Sequence, residues 1–373
     1  MKIGILTLPL HTNYGGILQA YALQTVLKRM GHDVYVIENK RRSLSLPIHK
    51  MPFVYGKRIV KNLMGHKNPI FYEQKINREQ PIIRQYTDVF IRKYIHLKQY
   101  DTFSDIQPSE YDAFVVGSDQ VWRPRYFGIN EIEDAYLKFA KSWDVKRLAY
   151  AVSFGTENWE YTLQQTEKCS ILLKMFDAIS LREDAGVKLC KKHFGLNTQQ
   201  VLDPTMLLHK EDYIQLFKQS GTPPSKGNLL CYILDETPEK EQIVHRIAIE
   251  KGLNVFKTNS KVENRQAPLN ERIQPPVEQW IRGFYDADFV ITDSFHACVF
   301  SILFNKPFLV CSNIDRGISR FNSILNMFDL QNRMITNTHD YKQLDNIKWE
   351  NINSILKNKR EEAYRFLQIL DSL

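Results

Sequence analysis

The chain has 373 residues, of which 43% are apolar and 25% charged, with no excess of glycine or proline. That length exceeds the size at which single cores stop growing, so two domains are expected, and the composition excludes a disordered or fibrous chain. A net charge of +8 points to an anionic partner, without choosing among a phosphorylated substrate, a lipid headgroup and nucleic acid.

In chain order, the apolar run Ile3–Leu10 is short and holds Gly4, Thr7 and Pro9. It runs into Asn13-Tyr14-Gly15-Gly16 and not into a small-residue cleavage site, so it reads as a first strand and not as a signal peptide. Residues Ile17 to Met30 carry Leu18, Tyr21, Ala22, Val26 and Leu27 at near-helical spacing, Gly31 supplies a stop, and Val34–Ile37 reads as a second strand. Strand, helix and strand with short links form the βαβ unit of a parallel sheet. From Lys40 to about Tyr100 this regularity breaks. The segment is basic (Lys40, Arg41, Arg42, Lys50, Lys57, Arg58, Lys61, Lys67), carries Pro47, Pro52 and Pro69, and includes Phe53, Val54, Tyr55, Ile59, Leu63 and Met64. It reads either as an insertion with a solvated basic face or as a surface that docks a polyanionic or membrane-bound acceptor.

Alternation then resumes. Ala113–Val116 is a strand ending in Gly117-Ser118-Asp119, Leu148–Val152 ends in Ser153-Phe154-Gly155, Ala178–Leu181 delivers Arg182-Glu183, and Gln200–Leu202 ends at Asp203-Pro204. In open parallel sheets, ligands bind just past such carboxyl ends. Gly221–Gly227, with Pro223, Pro224 and Ser225, reads as a linker. Beyond it lie strand Leu229–Leu234, helix Glu239–Lys251 closed by Gly252, strand Asn254–Lys257, helix Pro276–Tyr285 and strand Asp288–Thr292. Asp293-Ser294-Phe295-His296 follows, then helix Ala297–Phe304, strand Phe308–Cys311 and a long amphipathic helix Ile352–Leu370. The expected organisation is an N-terminal Rossmann-like domain over 1–220 with a basic insertion at about 40–100. A second Rossmann-like domain covers 228–350, and a C-terminal helix over 351–373 packs back on the first domain. The fold class is α/β, two doubly wound domains facing across a cleft.

His296, between a strand end and a helix, suits general acid work near neutral pH; the competing reading is a histidine that caps the helix or is bonded in the core. Arg182 offers a fork for carboxylate or phosphate, or else pairs with its neighbours Glu183 and Asp184. Asp119 is a candidate base, and Ser118 or Asp119 a candidate helix N-cap. The Asn13–Gly16 loop permits close approach of backbone to a ligand, and Arg316 and Arg320 flank a possible anion site. The five cysteines (Cys169, Cys190, Cys231, Cys298, Cys311) are scattered and free of CxxC spacing, which argues against disulfides or a zinc site and for a reducing cytosol. There is no HExxH, GxSxG, GxGxxG or basic–aromatic interleaving, so neither a metal, a nucleotide cofactor nor nucleic acid is expected, and no stretch approaches the apolar length of a membrane span.

The opening KIGILTLPLHTNYGGILQAYALQTVL and the later blocks YDAFVVGSDQVW, YAVSFGT, ISLRED, VLDPTMLL and ITDSFHACVFSILFNKPF resemble, in order, those of the polysaccharide pyruvyl transferases, over roughly Lys2 to Arg333. The resemblance implies a glycosyltransferase-B-like fold and transfer of pyruvate from phosphoenolpyruvate to two hydroxyls of a bacterial polysaccharide repeat unit, with no cofactor. It implies that His296 protonates the donor's methylene carbon, that Arg182 with Arg316 or Arg320 and Ser294 holds the donor, and that Asp119 accepts the sugar hydroxyl proton. Asn13, Tyr14, Gly15, Gly16 and Ser118 would line the acceptor side. The acceptor would be a sugar or a lipid-linked oligosaccharide, met in the cytoplasm or at the inner face of its membrane. Many members carry Arg-Leu-His where this chain has Ser294-Phe295-His296; Arg316 or Arg320 then compensates, or the donor differs. A nucleotide-sugar-dependent glycosyltransferase and a non-catalytic polysaccharide-assembly protein are the alternatives.

Overall fold

The computed structural model describes residues 1–65, 69–312, 317–335 and 346–371; Lys67 and Arg316 lie outside the described residues. In the first half, β1 (Lys2–Leu6) leads through α1 (Tyr14–Arg29) to β2 (Asp33–Asn39). Three helices follow, α2 (Met51–Leu63), α3 (Tyr72–Ile83) and α4 (Gln85–Tyr94), and then β3 (Leu97–Tyr100). Next come β4 (Ala113–Val116), α5 (Pro124–Phe127), β5 (Lys146–Val152), α6 (Leu163–Leu173), β6 (Ala178–Leu181), α7 (Asp184–Phe194), β7 (Gln199–Gln200) and α8 (Lys210–Gln219). The second half holds β8 (Leu229–Tyr232), α9 (Pro238–Lys251), β9 (Val255–Phe256), α10 (Leu269–Arg272), α11 (Val277–Asp286), β10 (Phe289–Thr292), α12 (Phe295–Leu303), β11 (Phe308–Cys311), α13 (Ile318–Met327) and β12 (Met334–Ile335). The chain's last long helix is α14 (Trp349–Leu367).

Among the described residues the strands form two sheets, ordered β3-β2-β1-β4-β5-β6-β7 and β12-β11-β10-β8-β9, with parallel pairing throughout. Both are doubly wound, so each has a crevice where the winding reverses: beside β1 and β4 in the first sheet, beside β8 and β10 in the second. The four-residue runs of β4, β8, β10 and β11 bury every position, as strands covered on both faces must.

Three elements depart from the sequence reading. The basic segment from Lys40 to Tyr100, read only as irregular, has regular structure among its described residues. It folds into α2–α4, and β3 pairs with β2 at the sheet edge. β3 reads LKQY, with no apolar run to reveal a strand. Tyr14, Gly15 and Gly16 form the first turn of α1, so the expected loop is helix from Tyr14 onward, capped by Asn13. Likewise α12 starts at Phe295, which puts His296 inside its first turn.

Each half keeps an apolar cluster of its own, and a third cluster joins them. The joining cluster runs from Ile5 and Leu18 through Met206 and Tyr213 to Trp280 and Phe300, with the Tyr213 and Phe300 rings 4.9 Å apart. Buried on every face, α12 forms the middle of this shared layer. Helix α14 returns to the first half, where Arg360 donates to the carbonyls of Met206 at 2.6 Å and Leu208 at 2.8 Å, and Phe366 packs on Tyr150.

Candidate active site

The carboxyl ends of both sheets meet at one buried cluster. Gly117 and Ser118 carry the chain out of β4 to Asp119, which sits at φ 73 with its carbonyl accepting the Ser153 amide. A non-glycine residue in this region stores on the order of 1 kcal/mol or more, and here the β5 bridge enforces it. No helix follows directly, so neither Ser118 nor Asp119 is an N-cap. The Asp119 carboxylate accepts from its neighbour's amide, Gln120 N, at 2.9 Å and lies 3.8 Å from Arg182 Nη2.

Arg182, at the end of β6, has a side chain only 1% exposed. Its main partner is not an adjacent acid but Asp203, whose Oδ2 accepts from Nη1 at 3.0 Å; Asp119 and Glu183 stand at 3.8 Å each. Burial alone would pull the guanidinium down, but Asp203, Glu183 and Asp119 together hold it above its ordinary range. Among the described residues two donors, Nε and Nη2, have no hydrogen-bond partner. Glu183 uses its Oε1 to accept from Ser153 Oγ and the amides of Phe154 and Gly155, at 2.7, 3.0 and 3.2 Å, and so fastens the turn after β5.

Asp203 is the site residue to which sequence reasoning assigned no role. Fully buried, it accepts at Oδ1 from Thr205 N and Oγ1 and at Oδ2 from Arg182 and Ser118 Oγ, with His296 Nε2 at 3.6 Å. Burial pushes its carboxyl up, yet His296, Arg182 and Thr205 outweigh that and hold it well below the usual carboxylate range. The signal was the same one that marked Arg182, a polar residue just past an apolar strand.

From the second half, β10 and α12 deliver Asp293, Ser294, Phe295 and His296. Asp293 is a staple: its carboxylate accepts the Leu234 amide at 2.7 Å and the Asp235 amide at 3.1 Å, and pairs with Lys240 at 2.7 Å. Ser294 stands at the N-cap position without a side-chain cap bond. The Phe295 ring carries a guanidinium from each half, with Arg182 Cζ 4.6 Å and Arg320 Cζ 5.6 Å from its centroid. Arg320 is pulled down to about 10 by burial and then by the like charge of Arg182. Its helix, α13, begins after Gly317, whose φ of 87 and close approach to the Gly155 carbonyl (a Cβ would stand 2.4 Å away) leave room only for glycine.

Gly15, in the first turn of α1, meets His296. A Cβ on Gly15 would stand 2.0 Å from His296 Nδ1, whereas one on Gly16 would find its nearest atom, Asp119 Oδ2, at 3.4 Å. His296 is buried and spans the two halves, with Gly15 at Nδ1 and Asp203 Oδ2 3.6 Å from Nε2. Two acceptor-side assignments are corrected. Tyr14 is 1% exposed, its hydroxyl donating to the carbonyls of Pro275 at 2.7 Å and Thr258 at 3.3 Å, with its ring 5.4 Å from Trp280. It bolts the halves together and presents nothing to a ligand. Ser118 is fully buried and its hydroxyl is spent on Asp203. Asn13 remains at the surface, its Oδ1 accepting the Gly16 amide at 3.3 Å. Beside the cluster, a cavity of about 380 Å³ opens between α7 and α13, lined by Asp184, Lys188, Lys192, Ser319 and Asn322.

The sequence profile of the family described as polysaccharide pyruvyl transferase matches residues 13–316. The chain belongs to that family. Membership makes it a transferase of polysaccharide biosynthesis, and its match takes in His296, Asp203, Arg182 and Asp119 together. None of the curated proteins matches the chain. Among solved structures, a UDP-N-acetylglucosamine 2-epimerase is similar at 11% identity and TM-score 0.50, over 99% of this chain and 95% of that one. Another such epimerase, from Listeria monocytogenes and described as putative, has 11% identity and TM-score 0.49, over 100% and 96%. A glycosyltransferase from Rickettsia africae has 11% identity and TM-score 0.46, over 100% and 96%. The likeness at TM-score 0.50 and the two facing doubly wound sheets give the pyruvyl transferase a glycosyltransferase-B-like fold. Among its described residues, no helix is long and apolar enough to cross a membrane.

Proposed function

We propose that this pyruvyl transferase moves the pyruvyl group of phosphoenolpyruvate onto two hydroxyls of a sugar in a bacterial surface polysaccharide, such as a capsule or exopolysaccharide, forming a pyruvate ketal. The observation that carries the reading is Arg182, a buried cation beside a histidine and within reach of a second arginine across Phe295. Its Nε and Nη2 make no hydrogen bond among the described residues and meet Glu183 and Asp119 only at 3.8 Å. A buried donor without a partner is costly, and an anionic ligand is what would satisfy it.

On this reading His296, steadied by Asp203, gives a proton to the methylene carbon of the donor, and positive charge develops at the adjacent carbon. One sugar hydroxyl attacks that carbon, the carbon–phosphate oxygen bond breaks, and a second hydroxyl closes the ketal. One hydroxyl proton replaces the proton spent on the methyl group and the other leaves with phosphate, so the atoms balance. Asp119 accepts the proton of the first hydroxyl, while Arg182 and Arg320 stabilise the carboxylate and the departing phosphate. No metal or cofactor enters the scheme. The reaction takes place in the cytoplasm, at the inner membrane face when the acceptor is lipid-linked. His296 and Arg182 are shut between the halves, so ligands enter when the contact at Gly15 opens.

Calorimetric titration with phosphoenolpyruvate tests the donor. Saturable binding, weakened at least about tenfold in both Arg182→Lys and Arg320→Gln through loss of charge-assisted bonds, is expected. Absence of binding with acceptor sugar present would overturn the reading.

A further inference from the structure

Helix α2 has no buried residue along its 13 positions. Short helices are marginal in water without an apolar face to bury, yet this one turns its apolar stripe outward. Phe53, Val60, Leu63 and Met64 fall within one side of the helix, at spacings of seven, three and one, and are 75%, 56%, 83% and 75% exposed. Lys57 and Lys61, one turn apart, run along the edge of that stripe.

The opposite side is anchored. Tyr55 packs its ring 5.1 Å from Phe71, and Arg58 grips Glu73 with both Nη atoms, at 2.8 and 2.7 Å, while donating to the Ile70 carbonyl at 2.8 Å. The outward stripe is therefore held in place and not merely loose. Charge points the same way. Between Glu38 and Glu73 the sequence has eight Lys and Arg and no Asp or Glu, a surplus equal to the +8 of the whole chain. The rest of the protein is electrically balanced.

We infer that α2 is a docking surface for an anionic lipid bilayer, its apolar stripe entering the headgroup boundary and its lysines meeting lipid phosphates. The pairing of exposed aliphatic and aromatic chains with acid-free positive charge is what such a surface requires. Nucleic acid would match the charge but leave the stripe in water. The position also suits the proposed site. Helix α3, next in the chain, ties into the second half through the buried Glu79–Arg272 pair at 2.7 Å and through the Ile83 carbonyl, which accepts the Gln274 amide. Gln274 Nε2 in turn donates to the Thr12 carbonyl at 3.1 Å, one residue before Asn13. Helix α2 is thus tied, through α3 and Gln274, to the residue that precedes Asn13. The inference extends the membrane-face location given above and is independent of the donor.

Co-sedimentation of the full chain with vesicles tests it, comparing phosphatidylcholine alone with phosphatidylcholine containing phosphatidylglycerol. Binding to the anionic vesicles is expected to exceed binding to neutral ones by at least about tenfold. Lys57→Glu with Lys61→Glu should remove that preference, and Phe53→Ser with Leu63→Ser should weaken binding about tenfold or more. Because none of these side chains is buried, both double variants should melt with the parent and bind phosphoenolpyruvate as it does. No binding to anionic vesicles, or binding indifferent to both variants, overturns the inference. So does a dimer in solution that the Phe53→Ser, Leu63→Ser variant dissociates, without vesicle binding, which would make the stripe a contact between copies. Failure of vesicle binding with donor binding intact condemns only the surface; loss of donor binding alone condemns only the reaction.

Discussion

Replacing Gly15 by alanine adds one methyl group at the contact between the two halves. An ideal Cβ there stands 2.0, 2.3 and 2.4 Å from Nδ1, Cγ and Cε1 of His296. Carbon and nitrogen at rest are about 3.5 Å apart, so the imidazole has to retreat by roughly 1 Å or more. The backbone would accept the change, since alanine is favoured over glycine in a helix by about 1 kcal/mol. The obstacle is therefore local to the ring, and its retreat disturbs the 3.6 Å approach to Asp203. A misplacement of about 1 Å in a catalytic group lowers rates about 100-fold, equivalent to about 2.7 kcal/mol of barrier. The assay is phosphate release from phosphoenolpyruvate in the presence of acceptor, with thermal melting in parallel. Gly15→Ala should lose about 100-fold in kcat and still melt cooperatively, its stability lowered by no more than the ~1–3 kcal/mol of an overpacked contact. Gly16→Ala is the milder comparison: its Cβ meets nothing nearer than Asp119 Oδ2, at 3.4 Å, so its loss should be far smaller than that of Gly15→Ala. Parental activity in Gly15→Ala would refute the placement of His296 at the reacting centre.

Three further outcomes are expected. Asp203→Asn removes the principal counter-charge of a buried arginine and should destabilise the fold by about 3 kcal/mol or more at neutral pH, measured by urea unfolding. The folded carboxyl of Asp203 is depressed, so its contribution is present above the unfolded value of about 3.9 and is lost as pH falls below it. The gap between parent and Asp203→Asn should accordingly narrow under acid, and parallel profiles would contradict the pairing. Tyr14→Phe leaves the carbonyls of Pro275 and Thr258 without their donor. It should lower stability by about 1 to 2 kcal/mol and increase hydrogen exchange across the contact between halves; unchanged exchange would remove the bolt.

Much of the architecture was legible because parallel strands buried on both faces are written as short apolar runs. β4 and β11 were read to the residue for that reason. β3 and β12 escaped, the first polar and the second two residues long, because their pairing and not their side chains makes them strands. The site was legible as positions and less so as partners. Ending apolar runs with Asp119, Arg182, Asp203 and His296 marks the ligand edge, but nothing in the spacing says that Arg182 turns to Asp203, 21 residues on, in preference to Glu183 beside it. Tyr14 misled for a related reason. Next to two glycines it looked like loop, and only the aromatic pocket of the second half, more than 200 positions away, explains why it is buried. Arg320 pressing on Phe295 with Arg182 is likewise a product of how α13 docks against the Gly155 turn, which the sequence shows only as two separate glycines.

The most direct test of the central claim is to run the reaction in deuterium oxide with phosphoenolpyruvate and an acceptor oligosaccharide, and to examine the sugar product by mass spectrometry and NMR. The expected product is a pyruvate ketal whose methyl group carries one deuterium, with phosphate released in step and neither product from His296→Gln. A ketal without deuterium in its methyl group, equal turnover by His296→Gln, or no ketal from any acceptor would contradict it.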